Sequence, residues 1–523
     1  MRSIFIVILA VIVINTLSFA GNDTLSHYSI DELVFHSPLE KDAFDCLLEE
    51  QSCHYMKNAL ATDETVTHVE YQQYKKHFYE FLDEVKEHRR FQRKPERQIR
   101  YIFNAIHDEY FRLYQETPHF SDIFTHGVFN CATASVLYAL AFEYYSIPYD
   151  IILIPEHVYL LAYPQQHSIL VETTNPLQSG FRAINQREKA RAVQSLVDRK
   201  LLLQEEVNRK GIDRIFNEMF HSEDIVNLHE LIGILYLNKA SVKSDMVWNT
   251  ETYEFLKKSS VFYPDQMTTV RLLLNASIIL DQSNYKDSNT YRTLADLEKF
   301  TSFGITHNDI IQQGVFYINR ALSDNNEAVL DSIHQWFNRY HSVDEIISEL
   351  NFVFYYNKSL KLINEYRVDE ALPLLEAAYM INPDDHNLNI LFIDVLTMKL
   401  KSGDSKDYDY EWLSSMANRI PELMDNKRFQ TLYQGTLLDL VNHHYVRKNF
   451  EMAEKFRSDF ERIFAPEDLA SPNIIRYLEE VYSRASLLYF RKNFISRAKA
   501  VLVSGLEYAP YSMELKDKLD YLR

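Results

Sequence analysis

Three residues whose types could perform chemistry follow one another in the first half of this chain: Cys131, His157 and Glu172. A thiol, an imidazole and a carboxylate are the parts of a nucleophilic cysteine site, in which the thiolate attacks a carbonyl, the imidazole transfers the proton and the carboxylate orients the imidazole. Each residue also has an ordinary structural explanation. Cys131 could be a small buried hydrophobe, His157 a satisfied polar group, and Glu172 the cap of a turn.

The first element needed to position this chemistry is a helix that begins at Cys131. Apolar side chains at Leu137, Leu140, Ala141 and Tyr144 fall on one helical face, and a proline soon after the last of them ends the pattern. The start of a helix carries unpaired N–H groups and the positive end of the helix dipole, which favour a thiolate over a thiol. The position of Cys131 therefore predicts a reactive cysteine.

The second element is a run of strands, because residues 149–154, 157–163 and 168–173 alternate with a period of two. If the last turn is a two-residue loop, Pro164-Gln165, His157 and Glu172 lie directly opposite each other on neighbouring strands. A four-residue loop makes them diagonal neighbours on the same face. A three-residue loop would place them on opposite faces and separate the acid from the base.

These motifs resemble the transglutaminase-like superfamily of papain-like cysteine enzymes, most closely bacterial members that also carry tetratricopeptide repeats. The matching stretches are Asn130-Cys131-Ala-Thr133-Ala-Ser135, His157-Val158 and Glu172-Thr173-Thr174. The resemblance covers a core of about residues 75–185 and implies that Cys131 is the nucleophile, His157 the acid and base, and Glu172 the orienting group. The third member is more usually Asp in this family.

Stabilisation of the oxyanion falls to the protein around Cys131. Members of the family that are enzymes tend to place a tryptophan near the oxyanion, but Trp248, Trp336 and Trp412 all lie outside the predicted core. The backbone N–H of Cys131 is left as a donor to the oxyanion, and the side chain of Asn130 is the candidate for a second donor.

The N-terminus has the pattern of a secretory signal peptide over residues 1–20. A positive start precedes an apolar run from Ile4 to Ile14, and Ser18-Phe19-Ala20 is a small-residue cleavage site. The alternative, a membrane anchor, is disfavoured because a spanning helix needs about 20 apolar residues. We therefore expect an exported protein, periplasmic or extracellular, with no stable membrane insertion after cleavage.

Export gives the cysteine count a meaning, because oxidising compartments pair accessible thiols. The chain has three cysteines, so one is left over. Cys46 and Cys53 could form a disulfide if the helix breaks between them, and Cys131 would then be the free thiol.

Composition and spacing exclude several other classes of function. The formal net charge is −19, whereas nucleic-acid-binding proteins concentrate Lys and Arg, so we expect no nucleic-acid partner. The chain has no dinucleotide fingerprint, phosphate-binding loop, calcium loop or zinc spacing, and we expect no cofactor and no metal.

The region after residue 226 is predicted to be helical and repetitive. Tyr355, Leu362, Ala371, Leu375, Ala378 and Pro383 are matched at a constant offset by Tyr482, Tyr489, Ala498, Leu502, Gly505 and Pro510. Small residues at such positions allow the two helices of a tetratricopeptide hairpin to approach, although a generic helical bundle is the alternative. The predicted domains are a signal peptide at 1–20, a helical front plus transglutaminase-like core at 21–225, and a tetratricopeptide-like domain at 226–523.

The expected fold class is therefore an α+β papain-like core with an N-terminal helical segment, followed by an all-α tetratricopeptide-like solenoid. The expected function is an exported cysteine acyl-transfer enzyme, either a peptidase or amidase or a transglutaminase-type transferase, whose repeats recruit a protein or peptide. The alternative is a non-catalytic extracytoplasmic binding scaffold with a degenerate transglutaminase-like module. Whether the three residues turn over a substrate is open at this point.

Overall fold

The computed structural model describes residues 28–48, 54–154, 157–167, 169–173, 190, 193–194, 204–212, 224–244, 250–282, 285–401, 405–469 and 471–522. The predicted signal peptide, Cys53 and Trp248 lie outside these residues. Helices make up 75% of the described residues. The chain divides into two compact units, Met1–Ile305 and Thr306–Arg523.

The first unit contains eleven described α-helices and six described strands. In chain order they are α1 (Pro38–Leu48), α2 (Tyr55–Leu60), α3 (His68–Glu87), α4 (Pro95–Tyr110), β1 (Leu113–Tyr114), α5 (Asp122–Thr125), β2 (Val128–Phe129), α6 (Cys131–Tyr145), β3 (Tyr149–Ile154), β4 (His157–Ala162), β5 (Ile169–Val171), α7 (Gln204–Lys210), β6 (Asp224–Val226), α8 (Leu228–Ser244), α9 (Thr250–Phe262), α10 (Gln266–Gln282) and α11 (Ser288–Asp296). A 3₁₀ segment, Leu297–Phe303, ends the unit.

The strands form two small sheets. β1 and β2 are a parallel pair, and the larger sheet has the antiparallel order β5-β4-β3-β6. Its central strands bury Ile151, Ile152, Val158 and Leu160, as expected for β-branched and aliphatic residues on a covered sheet. The sheet is thus a compact platform for the residues at its strand ends.

Helix α6 packs against this sheet and is buried almost all the way round. Every residue from Ala132 to Phe142 is buried, which is the pattern of a central helix rather than a surface one. Small side chains such as Ala134 and Ala139, both fully buried, allow neighbouring elements to approach its backbone. The helix ends at Ser146, whose φ of 54° is left-handed.

Buried ion pairs join the N-terminal segment to the helices that follow the sheet. Lys258 in α9 contacts Glu40 in α1 at 2.7 Å, and neither side chain is accessible to solvent beyond 1%. The hydroxyl of Tyr236 donates to the same glutamate at 3.2 Å, and Lys257 contacts Asp296 at 2.7 Å. Paired and hydrogen-bonded charges of this kind tolerate burial. The Lys258–Glu40 pair and the Tyr236 hydrogen bond link α1 to α9 and α8, and the Lys257–Asp296 pair links α9 to α11, all within the unit that ends at Ile305.

The second unit is helical throughout the part that the structure describes. Its helices are α12 (His307–Ser323), α13 (Glu327–Tyr340), α14 (Asp344–Asn364), α15 (Val368–Ile381), α16 (His386–Lys401), α17 (Lys406–Arg419), α18 (Lys427–Val446), α19 (Phe450–Ile463), α20 (Pro472–Arg491), α21 (Ile495–Tyr508) and α22 (Met513–Tyr521).

Four tight helix pairs recur in this unit: α12–α13, α14–α15, α18–α19 and α20–α21. The turn of each pair contains one left-handed residue, respectively Asn325, Tyr366, Lys448 and Asn493. The matched alanines of the predicted repeat, Ala371 and Ala498, are fully buried at corresponding points of α15 and α21. The repeat in the sequence therefore corresponds to two equivalent helix pairs.

The predicted fold class is wrong. The structure is mostly α-helical with sheets of only two and four strands, and it is not an α+β papain-like core followed by a separate tetratricopeptide solenoid. The period-two pattern predicts strands over residues 149–154, 157–163 and 168–173, and these form β3 and β4 of six residues each and β5 of only three. The helices directly after residue 226 pack within the first unit through the buried charges described above.

Candidate active site

Cys131 is the first residue of α6, as predicted from the sequence, and a capping box fixes its position. The side-chain oxygen of Asn130 accepts a hydrogen bond from the backbone N–H of Thr133 at 2.9 Å, and the Thr133 hydroxyl accepts one from the Asn130 backbone N–H at 2.9 Å. Reciprocal bonds of this kind satisfy orphan donors and define where a helix begins. Cys131 is a free cysteine with a partly exposed side chain.

His157 begins β4, opposite Ile154 at the end of β3. The next strand pairs Leu160 with Val171 and Ala162 with Ile169. This register places Glu172 one position beyond β5, as a diagonal neighbour of His157 on the same face of the sheet. It is the arrangement that the four-residue-loop alternative predicts. The turn before β5 includes Tyr163 with a left-handed φ of 51°.

The His157 ring contacts both other members of the predicted triad. Its Nε2–H donates to Oε2 of Glu172 at 2.9 Å, and the side chain of Cys131 lies close enough to raise the pKa of the ring. The imidazole and the carboxylate are 29% and 27% exposed, so the site is sheltered but remains open to solvent.

The pKa of His157 reflects these contacts. Burial of the ring lowers the pKa, but hydrogen bonds and charge interactions with Cys131 and Glu172 outweigh burial and raise it to about 10. A histidine with this pKa is protonated at neutral pH when its partners are negative. The raised pKa of His157 therefore places a protonated imidazole next to the Cys131 side chain at neutral pH.

The side chain of Asn130, the predicted oxyanion donor, is already used in hydrogen bonds at the start of α6. Besides accepting from Thr133, its side-chain nitrogen donates to the carbonyl of Glu116 at 3.0 Å, and the residue is only 5% exposed. The backbone N–H groups of the first helical turn have no carbonyl partner within the helix. The N–H of Cys131 is therefore better placed than the Asn130 amide to donate to an oxyanion, and the role predicted for Asn130 stays a prediction.

Tyr114 is a neighbour of the site that sequence reasoning missed. Strand β1 pairs it with Phe129, two residues before Cys131, and 49% of its surface is exposed. The pKa of its hydroxyl is raised by burial and also by the charges of Cys131, Glu116 and Glu172, as expected for a phenol close to the thiol and the carboxylate. A two-residue strand leaves no periodic signal, so the pattern of residues alone could not place Tyr114 here.

A cavity of about 130 Å³ lies at the start of α6, but the thiol does not line it. Its walls include Asn130, Thr133, Phe120 and Leu235. Positions 131 and 133 point to nearly opposite sides of a helix, so this cavity and the Cys131 side chain lie on different sides of the start of α6.

The remaining predicted features concern disulfides, metals and membranes. Cys46 is disulfide-bonded, and its predicted partner, Cys53, lies outside the described residues. Among the residues that the structure describes, no group of His, Cys, Asp and Glu is arranged to hold a metal ion. Within the same residues, no helix combines the length and the apolar character needed to cross a membrane.

Comparison with protein-family models and with curated proteins found no match for this chain.

Proposed function

We propose that this protein is a cysteine acyl-transfer enzyme that uses Cys131, His157 and Glu172 as a catalytic triad. The observation that carries the proposal is the position of one imidazole, whose Nε2 contacts Glu172 at 2.9 Å while the side chain of Cys131 lies close enough to raise its pKa. Base-to-nucleophile and base-to-orienter contacts are the geometric criteria for such a site. The three motifs that resemble those of transglutaminase-like enzymes support the same roles.

The proposed reaction begins with attack of the Cys131 sulfur on an amide or ester carbonyl. The carbonyl oxygen becomes negative and accepts a hydrogen bond from the backbone N–H at the start of α6. His157 then gives its proton to the leaving amine or alcohol, which departs as the carbonyl reforms and leaves a thioester on Cys131. Water or an amine, deprotonated by His157, attacks the thioester and releases the acid or the transferred amide, and Cys131 returns to the thiolate.

We further propose that the protein acts outside the cytoplasm. The signal-peptide pattern of residues 1–20 supports export. The disulfide at Cys46 supports it independently, since structural disulfides persist in oxidising compartments and are rare in the cytosol.

The alternative function is a non-catalytic scaffold that binds a protein or peptide. It is supported by the recurring helix pairs of the second unit, which expose large side chains such as Tyr366 and Met380, 93% and 63% accessible. In this alternative the Cys-His-Glu contact is a structural remnant and the helix pairs perform the function.

The pH dependence of alkylation distinguishes the two functions. In the acyl-transfer enzyme, iodoacetamide modifies Cys131 well below the pH of about 8.5 at which a free cysteine ionises. His157→Ala removes that advantage, and Cys46, held in its disulfide, does not contribute. A wild-type profile centred on the free-thiol pKa contradicts the catalytic proposal and favours the scaffold.

A further inference from the structure

A buried hydroxyl on α6 touches both strand segments that carry the other triad members. Ser135 lies one helical turn after Cys131 and therefore on the same side of the helix. Its Oγ donates to the backbone carbonyl of Val158 at 3.4 Å, and Val158 follows His157 directly. The same Oγ lies 3.5 Å from the hydroxyl of Thr173, which follows Glu172.

The directions of these bonds follow from the groups involved. A carbonyl only accepts, so the single hydroxyl hydrogen of Ser135 is directed at Val158. Thr173 must then be the donor in the contact between the two hydroxyls. Ser135 thus accepts from the Glu172 segment and donates to the His157 segment, while its backbone belongs to the helix that begins with Cys131.

The environment argues against an incidental role for this pair. Both hydroxyl residues are completely buried, where polar groups are costly unless they are hydrogen-bonded. A serine inside a helix usually bonds back to the carbonyl four residues earlier, which here would be that of Cys131. Ser135 instead reaches across to the strands. Its neighbours in the helix, Ala134 and Val136, are apolar and equally buried.

We propose that Ser135 and Thr173 are positioning residues that keep His157 and Glu172 aligned with the thiol of Cys131. This inference rests on the proposed acyl-transfer function. Both contacts are at the long end of the hydrogen-bond range, so their contribution is mainly to restrict where the strand ends lie relative to α6. Without them, the helix and the two strand ends retain their packing but lose a polar group that contacts all three.

The sharpest test compares two variants at one position. Thr173→Val keeps the shape of the side chain and removes the hydroxyl, whereas Thr173→Ser keeps the hydroxyl and removes a methyl group. The readout is the rate of Cys131 alkylation across pH in the full chain, together with the thermal midpoint. We expect Thr173→Val to slow alkylation at neutral pH about three- to tenfold, the effect of losing one hydrogen bond, and Thr173→Ser to stay close to wild type.

Ser135→Ala provides the second arm, with Ser259→Ala as its matched control. Ser259 is also completely buried and donates to a backbone carbonyl, that of Gly233 at 2.9 Å, but it lies on α9. If Ser135 has a positioning role, Ser135→Ala slows the alkylation of Cys131. Ser259→Ala then leaves the alkylation rate unchanged, although it lowers the thermal midpoint by a similar amount. If Ser135→Ala does not fold, the two Thr173 variants decide alone.

The inference is overturned if Thr173→Val retains the wild-type alkylation profile, or if Thr173→Ser loses as much reactivity as Thr173→Val. These outcomes differ from failure of the proposed function. That failure is visible in the wild-type protein itself, as a thiol that titrates like a free cysteine.

Discussion

Replacing Glu172 with glutamine keeps the shape of the side chain and removes its charge, so it isolates what the carboxylate contributes to His157. In the structure, Oε2 of Glu172 accepts from Nε2 of His157 at 2.9 Å, and the pKa of the imidazole is raised to about 10. We expect Glu172→Gln to lower that pKa while the fold persists, because the glutamine oxygen can still accept the hydrogen bond.

The size of the change can be worked from the geometry. Two unit charges about 4 Å apart interact by about 4 kcal/mol at an effective dielectric constant of about 20. Both side chains are more than a quarter exposed, so solvent screening reduces the interaction to ~2 kcal/mol. One pKa unit corresponds to about 1.36 kcal/mol, and the pKa of His157 should therefore fall by roughly 1.5 units.

The sign of the pH effect on stability follows from the same shift. The pKa of His157 in the folded protein lies above the ordinary value of 6.5, so its protonation stabilises the fold fully below pH ~6.5. This stabilisation is lost as the pH rises through about 10 in the wild type. In Glu172→Gln we expect it to be lost roughly 1.5 pH units lower.

The assay is an NMR titration of the imidazole carbon–hydrogen signals in the full chain labelled at histidine. The chain has 19 histidines, and His157→Ala identifies the signal that belongs to His157. Glu116→Gln is the matched control, because it removes a nearby charge that also acts on Tyr114 but makes no hydrogen bond to His157. An unchanged His157 titration in Glu172→Gln would refute the reasoning.

Three further predictions concern stability, each measured by reversible thermal or denaturant unfolding. Gly435→Ala should stabilise the protein by up to ~1 kcal/mol, because the nearest atom to the new methyl group is 3.6 Å away. Gly233→Ala should destabilise it by ~1–3 kcal/mol, because its methyl group would lie 2.8 Å from a backbone nitrogen. Equal effects of the two substitutions on stability would contradict this packing. Lys258→Met should cost ~3–5 kcal/mol by leaving Glu40 buried and unpaired, and adding Glu40→Leu should recover much of the loss; no recovery would mean that the charges do more than pair. Ala498→Phe should cost ~1–3 kcal/mol by overpacking, and a Phe tolerated at full stability would mean that this position does not lie between paired helices.

Local patterns in the sequence predict the elements of the candidate site well. The helix from Cys131 and the strand beginning at His157 are found where the apolar periodicities put them. The sequence left the length of the loop between β4 and β5 open. The loop contains Tyr163 in a left-handed conformation, and a tyrosine gives no sequence signal for that conformation.

Long-range packing is the part that the sequence could not predict. Lys257 and Lys258 are adjacent charges within a helical pattern, which from sequence alone is typical of a solvated face. In the structure both are buried and paired with carboxylates from other elements, Lys257 with Asp296 in α11 and Lys258 with Glu40 in α1, and the second pair links α9 to the N-terminal segment. The pairing of Tyr114 with Phe129 could not be predicted either, because it depends on which segments of the chain meet in space.

The contact between Lys258 and Glu40 also determines the order in which the first unit can be completed during synthesis. The two residues are 218 positions apart in the chain, and a ribosome adds only about 5–20 residues per second. For many seconds, the N-terminal helix α1 exists without the lysine that pairs with its buried glutamate and without α8 and α9, whose Tyr236 and Phe262 pack against Phe44. Contacts of such sequence separation slow folding. The first unit therefore cannot bury α1 completely until α9 has been synthesised.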